Sequence, residues 1–326
     1  MSAPVVLVTS RSFSTGTVDL VGRLTDAGAR VVRGATDHDL EALRPALELS
    51  VAWIAGSGPV TAQHLDAAPL LKVVARYGVG VDAVDIAAAT GRGVLVTNTP
   101  GANSDAVAEH ALALLLAALR HVVAGDRGVR VQDWSVHRAR ELKSLRVGIV
   151  GFGRTGRALT SRLTPLGTTV LAYDPMIAEA DIFAAGARPA DFPAMAAGCD
   201  VVSLHAPGDQ QVVTATWLEH AAAGLILLNT ARASLVDERA VATALAEDRL
   251  GCYAADDLGS GHAEARSPLL APDLADRVIL TPHSAAQTVE AVDNMGVGAT
   301  AAVLAVLAGA TPPNVVRAPP APRIQS

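Results

Sequence analysis

The stretch RVGIVGFGRTGRAL, residues 146–159, decides how this chain is read. Val147, Ile149 and Val150 make an apolar run of strand length, Gly151, Gly153 and Gly156 follow at once, and Leu159 and Leu163 recur at helical spacing. A strand that runs into a glycine turn and on into a helix is the setting in which GxGxxG signals a dinucleotide site. Gly151 permits the tight turn, Gly153 lets a pyrophosphate approach the backbone, and Gly156 lets helix and strand pack closely. Arg154 and Thr155 open the helix, whose N-terminus would face the phosphates. A second apolar run, residues 169–173, ends at Asp174, about 20 residues on, where a carboxylate accepts hydrogen bonds from ribose hydroxyls. Asp174 would repel a 2′-phosphate, and Pro175, Met176 and Ile177 supply no arginine to receive one. The expected cofactor is therefore NAD and not NADP. The alternative is a glycine turn in an α/β protein that binds no nucleotide.

On both sides of this turn, strand-like runs alternate with amphipathic stretches along the chain. Residues 5–8, 30–32, 51–54, 72–75 and 94–96 form a first series, and residues 147–150, 169–171, 201–204, 225–228, 253–255 and 278–280 a second. Alternation of this kind predicts parallel sheets covered by helices. The glycine turn opens the second series. The fold expected is α/β, with two Rossmann-like or flavodoxin-like domains and a cleft between them. A helix over residues 104–123, capped by Asn103, Ser104 or Asp105, would bridge the two. A second long helix, 288–307, would return to the first domain. The expected limits are residues 1–99 with 285–326 for a substrate-binding domain and 100–284 for an NAD-binding domain. The chain after Pro312 is proline-rich and predicts a mobile tail.

Composition narrows the function classes. With 326 residues, 50% hydrophobic but only 3% aromatic, the cores must be built from Ala, Val and Leu. A net charge of −6 leaves no basic stripe to neutralise phosphates, which argues against nucleic acid or an anionic membrane as partner. Cys199 and Cys252 are the only cysteines and belong to no CxxC or Cys/His pattern, so neither a disulfide framework nor a metal site is expected. A reducing cytoplasm is the default compartment. The apolar stretch 106–119 carries Glu109 and His110 and is too short to span a bilayer, so it reads as a buried helix.

Four further segments surround the glycine turn: ARYGVGVDAVD (residues 75–85), NTPGANSDAVAEHALALLL (98–116), NTARASLVDE (229–238) and TPHSA (281–285). In this order they resemble the D-isomer-specific 2-hydroxyacid dehydrogenases, over roughly residues 50–310. The resemblance implies an NAD-dependent oxidoreductase that moves a hydride between nicotinamide and a D-2-hydroxy acid or its 2-oxo acid. Arg232 corresponds to the arginine that clamps the substrate carboxylate, as a guanidinium fork at a strand end can. His283 matches the acid/base histidine, whose chemistry suits proton transfer in both directions. Gly78, Val79 and Gly80 resemble the loop whose N–H groups receive the carboxylate. Arg76 could add charge for a phosphorylated or phosphonate tail, with Arg138 and Arg140 as further helpers. His205, Ala206 and Pro207 in the LHAP segment, together with Thr230, Ala231, Arg232, Asp256, His283 and Ala285, complete the cofactor wall. The family also implies a homodimer joined through the cofactor domains, and the 106–119 helix suits that contact.

The pattern breaks in one place. The family pairs its histidine with a glutamate five residues beyond the aspartate matched by Asp256, and that position is Gly261 here. Loss of the carboxylate should lower the pKa of His283 relative to relatives. Glu264 could replace it if the loop is rearranged, and His262 is another possible proton carrier. Asp257 is expected to point to the opposite side of the strand. The missing glutamate motivates a second reading, an NADH-sensing binding protein of the corepressor type with little turnover. The GCYAAD wording at 251–256 suggests a third, a phosphite-type dehydrogenase.

Overall fold

The computed structural model describes residues 3–208, 210–258 and 267–317. The chain divides into two units, residues 1–103 with 287–326 and residues 104–286. In chain order the strands of the first unit are β1 (Val5–Val8), β2 (Arg30–Arg33), β3 (Ser50–Ala55), β4 (Val73–Arg76) and β5 (Leu95–Thr97). Those of the second are β6 (Arg146–Val150), β7 (Thr169–Tyr173), β8 (Arg188–Pro189), β9 (Val201–Leu204), β10 (Leu225–Asn229), β11 (Leu250–Ala255) and β12 (Val278–Leu280), and the chain returns to the first unit with β13 (Val315–Val316).

The first sheet runs β13-β5-β4-β3-β1-β2. Strands β1 to β5 are parallel and in the doubly wound order 2-1-3-4-5. β13 is antiparallel to β5, pairing Val315 with Thr97, so the expectation of a mobile tail directly after Pro312 is corrected for these residues. The exposed edge of β5 supplied the hydrogen-bonding groups, a tertiary opportunity that local proline content does not reveal.

The second sheet runs β12-β11-β10-β9-β6-β7-β8 and is parallel throughout. Its order reverses between β6 and β9, and in open α/β sheets ligands sit beyond the carboxyl ends of strands at such a switch point. The glycine turn leaves β6 and the LHAP segment leaves β9, so both lie at that point. Strands β9 and β10 are buried along their whole length, as expected of a sheet covered on both faces, which is why they read as continuous apolar runs.

Helix Ser104–Leu119 is shorter than its expected span. His121 takes a left-handed conformation (φ 53°), and a second helix, Val122–Arg130, begins after it at a bend of 59°. Ala108, Ala111 and Leu115 are fully buried, and this helix packs on helix Arg154–Leu163 and on β10 and β11. The alanines let the backbones approach closely. This apolar face is therefore used inside its own unit.

Helix Val289–Leu307 starts at Thr288, whose hydroxyl accepts the Ala291 N–H. By length and composition it could cross a membrane. Here Ala291, Met295, Ala299, Ala302 and Val303 are buried, and the helix lies against β3 and β4 of the first unit. At about 1.5–3 kcal/mol for each large apolar side chain removed from water, this face is a main support of that sheet.

Candidate functional site

The cofactor cradle begins where β6 ends. Gly151 has φ +92°, and a Cβ there would lie 2.4 Å from the Ala206 nitrogen. A Cβ on Gly156 would lie 2.3 Å from the Gly151 carbonyl oxygen. A Cβ on Gly153 would meet nothing within 4 Å. The outer two glycines are thus demanded by protein packing, and the middle one keeps an open face beside the start of helix Arg154–Leu163, where an anion meets free N–H groups and the positive end of the helix dipole. Arg154 is exposed and Thr155 half-buried in that first turn.

Asp174 stands at the end of β7. Its Oδ2 accepts the Phe152 N–H from the glycine turn at 2.8 Å, and its Oδ1 accepts the Met176 N–H at 2.9 Å. The carboxylate is anchored on the turn itself.

Beyond β9 and β10 two buried polar atoms lack a hydrogen-bond partner among the described residues: His205 Nδ1 and Thr230 Oγ1. His205 Nε2 is bonded to Ser203 Oγ at 2.8 Å, and burial pushes the imidazole down to about 4, so it is neutral at physiological pH. Unsatisfied buried groups cost about 1–3 kcal/mol each, and two of them at the carboxyl ends of adjacent strands mark a surface prepared for a polar ligand. With the open glycine face, the residues present fit a dinucleotide.

Arg232 follows β10 in a turn closed by Asn229. The Asn229 side chain accepts the Ala231 N–H at 3.0 Å and donates to the Arg232 carbonyl at 2.8 Å, and Arg232 Nη1 donates to the Ala231 carbonyl. Asn229 is a positioning residue that the sequence reading passed over. An asparagine at a strand end before a turn is its local signal.

His283 follows β12, also with φ in the left-handed region (52°). Its N–H donates to the Asp256 carbonyl at 2.8 Å. The buried Asp256 carboxylate gathers the rest of this loop: Oδ1 accepts the Ser284 N–H at 2.9 Å and the Thr281 hydroxyl, and Oδ2 accepts the Ala285 N–H at 2.7 Å. Thr281 gives its only hydroxyl proton to Asp256, so His110 Nε2, 2.8 Å from Thr281 Oγ1, is the donor there. Burial would raise the Asp256 carboxyl, but hydrogen bonds from His110, Thr281, Ala285 and Ser284 outweigh it and hold the group below the ordinary carboxylate range. The roles of His110 and Thr281 in this collar were not legible from sequence.

Asp257 departs from expectation. Its Oδ2 lies 3.9 Å from His283 Nδ1, on the same side as the imidazole. Gly261, His262 and Glu264 lie outside the described residues.

In the first unit, the loop after β4 has its three carbonyls held from behind: Gly78 O by the Thr99 N–H at 3.0 Å, Val79 O by Asn98 Nδ2 at 2.8 Å and Gly80 O by Arg76 Nε at 3.1 Å. Gly78 has φ +144°, in a region that favours glycine. Arg76 is buried, with its guanidinium also 3.5 Å from the Gly58 carbonyl. Arg140, in the second unit, is paired with Asp200. Among the described residues no cluster of three metal-ligating side chains occurs.

Comparison with known proteins gives this geometry its context. Residues 112–285 match the model of the D-isomer specific 2-hydroxyacid dehydrogenase NAD binding domain. The chain is 37% identical over 321 residues to a D-3-phosphoglycerate dehydrogenase of Mycobacterium bovis, covering 97% of this chain and 59% of that protein. It therefore spans about three fifths of the length of that relative. It is 34% identical over 267 residues to a glyoxylate reductase of Thermofilum pendens, covering 79% of this chain and 78% of the relative. An NAD-dependent formate dehydrogenase from Staphylococcus aureus, solved in complex with NAD, superposes with a TM-score of 0.83 at 26% identity, over 97% of this chain and 99% of that one. The glycine cradle, the anchored Asp174 and the matched segment agree: the chain belongs to the D-isomer specific 2-hydroxyacid dehydrogenase family, and its cofactor is NAD.

Proposed function

We propose that this protein is an NAD-dependent oxidoreductase acting on a D-2-hydroxy acid or the matching 2-oxo acid. The observation that carries the reading is the presence of His283, held in an unusual backbone conformation by the Asp256 collar, on the unit that carries the NAD cradle. A buried carboxylate and a left-handed histidine are a costly way to present an imidazole unless its position matters.

The residues divide the work as follows. Gly151, Gly153 and Gly156 with Arg154 and Thr155 receive the pyrophosphate, Asp174 the ribose, and His205, Ala206, Pro207, Thr230, Ala231, Asp256 and Ala285 form the wall towards the nicotinamide. NAD, when bound, supplies or accepts the hydride. Arg232 holds the substrate carboxylate through its fork of donors, and in the first unit the N–H groups of Val79 and Gly80, beside carbonyls that are already clamped, are donors for an anion. His283 gives a proton to the carbonyl oxygen in reduction and removes one from the hydroxyl in oxidation. A phosphorylated substrate is the finer part of the proposal. It rests on likeness to D-3-phosphoglycerate dehydrogenases, while the glyoxylate reductase likeness speaks for a small acid.

The test is NADH consumption with glyoxylate, pyruvate, phosphohydroxypyruvate and phosphonate analogues offered side by side. Turnover of at least one 2-oxo acid is expected. NADH binding with no consumption across the panel would replace this reading with that of a nucleotide sensor, and NAD reduction by phosphite alone would replace it with a phosphite dehydrogenase.

A homodimer in the cytoplasm completes the proposal. Val131, Trp134 and Val136 of the second unit are 77%, 70% and 93% exposed, and helix Val122–Arg130 buries none of its residues within the unit. A run of apolar side chains left in water at this density marks an association surface. Light scattering should report a dimer, and Val131→Asp with Trp134→Asp should give a folded monomer. A wild-type monomer at micromolar concentration would end this part of the proposal.

A further inference from the structure

We propose that Asp257 is the carboxylate partner of His283, in place of the glutamate whose position is Gly261. The proposal rests on the reading of His283 as the proton-transfer group. Parallel pairing of β11 with β12 brings Ala255 beside Leu280, so the residues that follow each strand leave the sheet side by side. The Asp256 carbonyl accepts the His283 N–H, which joins the two extensions at that point. The Asp256 side chain is committed inward to Thr281, Ser284 and Ala285. Asp256 forms the bend that follows β11, and after this bend the Asp257 carboxylate lies on the side where His283 stands.

The result is Oδ2 of Asp257 at 3.9 Å from Nδ1 of His283, with side chains 39% and 61% exposed. That separation exceeds a hydrogen bond, and in this proposal the two exposed side chains close it when cofactor and substrate are bound, as catalytic contacts do that are long in the free protein. A carboxylate on Nδ1 fixes the tautomer and leaves Nε2 as the atom that faces the substrate oxygen. Of the elements packed on this loop, the β11 extension brings Asp256 and Asp257, and helix Ser104–Leu119 brings His110. Asp256 and His110 are engaged with Thr281. Asp257 is thus the described carboxylate left to act on the imidazole.

Imidazole titration by NMR tests this in the NAD-bound protein, with His283→Asn used for assignment. Asp257→Asn should lower the His283 midpoint by about half a pH unit, the scale of an exposed ion pair. Asp257→Glu should restore it, and Glu264→Gln should leave it unmoved. The pH profile of 2-oxo acid reduction should shift to acid by the same amount in Asp257→Asn, with KM unchanged. An unmoved midpoint in Asp257→Asn, or a midpoint that moves in Glu264→Gln instead, overturns the proposal. The titration reads the pair whether or not any acid in the panel is turned over, so this proposal and the dehydrogenase reading fail separately.

Discussion

Replacing His283 by asparagine is expected to lower kcat for 2-oxo acid reduction by about 10²- to 10⁴-fold, the usual contribution of a positioned general acid. Asparagine is the informative choice because the site has φ 52°, a conformation that asparagine tolerates and alanine does not. The backbone N–H that bonds to Asp256 is retained, and the imidazole is mostly exposed, so the fold should be unaffected. NADH affinity, read by fluorescence titration, should stay within a few-fold of wild type. Loss of turnover with cofactor affinity kept would place the defect in proton transfer. Turnover within tenfold of wild type would remove His283 from the mechanism.

The largest effect on stability is expected from Asp256→Ala. The substitution strands the N–H groups of Ser284 and Ala285 and the Thr281 hydroxyl, at a site only 4% exposed. At about 1–3 kcal/mol per stranded group, with partial relief by water, the net loss is about 3 kcal/mol. For a unit of this size that lowers the thermal midpoint by about 6–12 °C, measurable by calorimetry. The effect depends on pH with a definite sign. The folded Asp256 carboxyl titrates below its unfolded value of about 3.9, so its stabilisation is fully present above roughly pH 4 and is lost as pH falls through the folded pKa. The gap in thermal midpoint between wild type and Asp256→Ala should therefore be constant from pH 5 to 8 and narrow below pH 4. A gap that widens on acidification would show that another group carries the effect.

Much of this arrangement was legible in the chain itself. A continuous apolar strand, a glycine turn and an acid after the next strand are local signals, because each part of the turn answers to steric rules that act within a few residues. Gly151 and Gly156 show this directly: a Cβ at either would meet backbone at 2.4 and 2.3 Å. The strand series likewise gave both sheets, since strands buried on two faces must be apolar throughout. Its ends were read less well. β11 begins at Leu250, three residues before its expected start, and β8 is a two-residue edge pair too short to leave a pattern.

Packing of distant segments settles which side chains meet where the strands end. His110, Thr281 and Asp256 are distant in sequence, and only the packing of helix Ser104–Leu119 on β10 and β11 brings the histidine to the other two. The side on which Asp257 emerges depends on Asp256 being drawn inward by its hydrogen-bond partners, a choice no local propensity contains. Sequence thus determined the fold and the family, and pointed to Arg232 and His283 as the residues of the proposed reaction, because those follow from short-range sterics and from the order of motifs. The partners that hold and tune these groups were decided by parallel strand register and burial, because a hydrogen bond across the sheet depends on coordinates of residues that the chain separates by scores of positions.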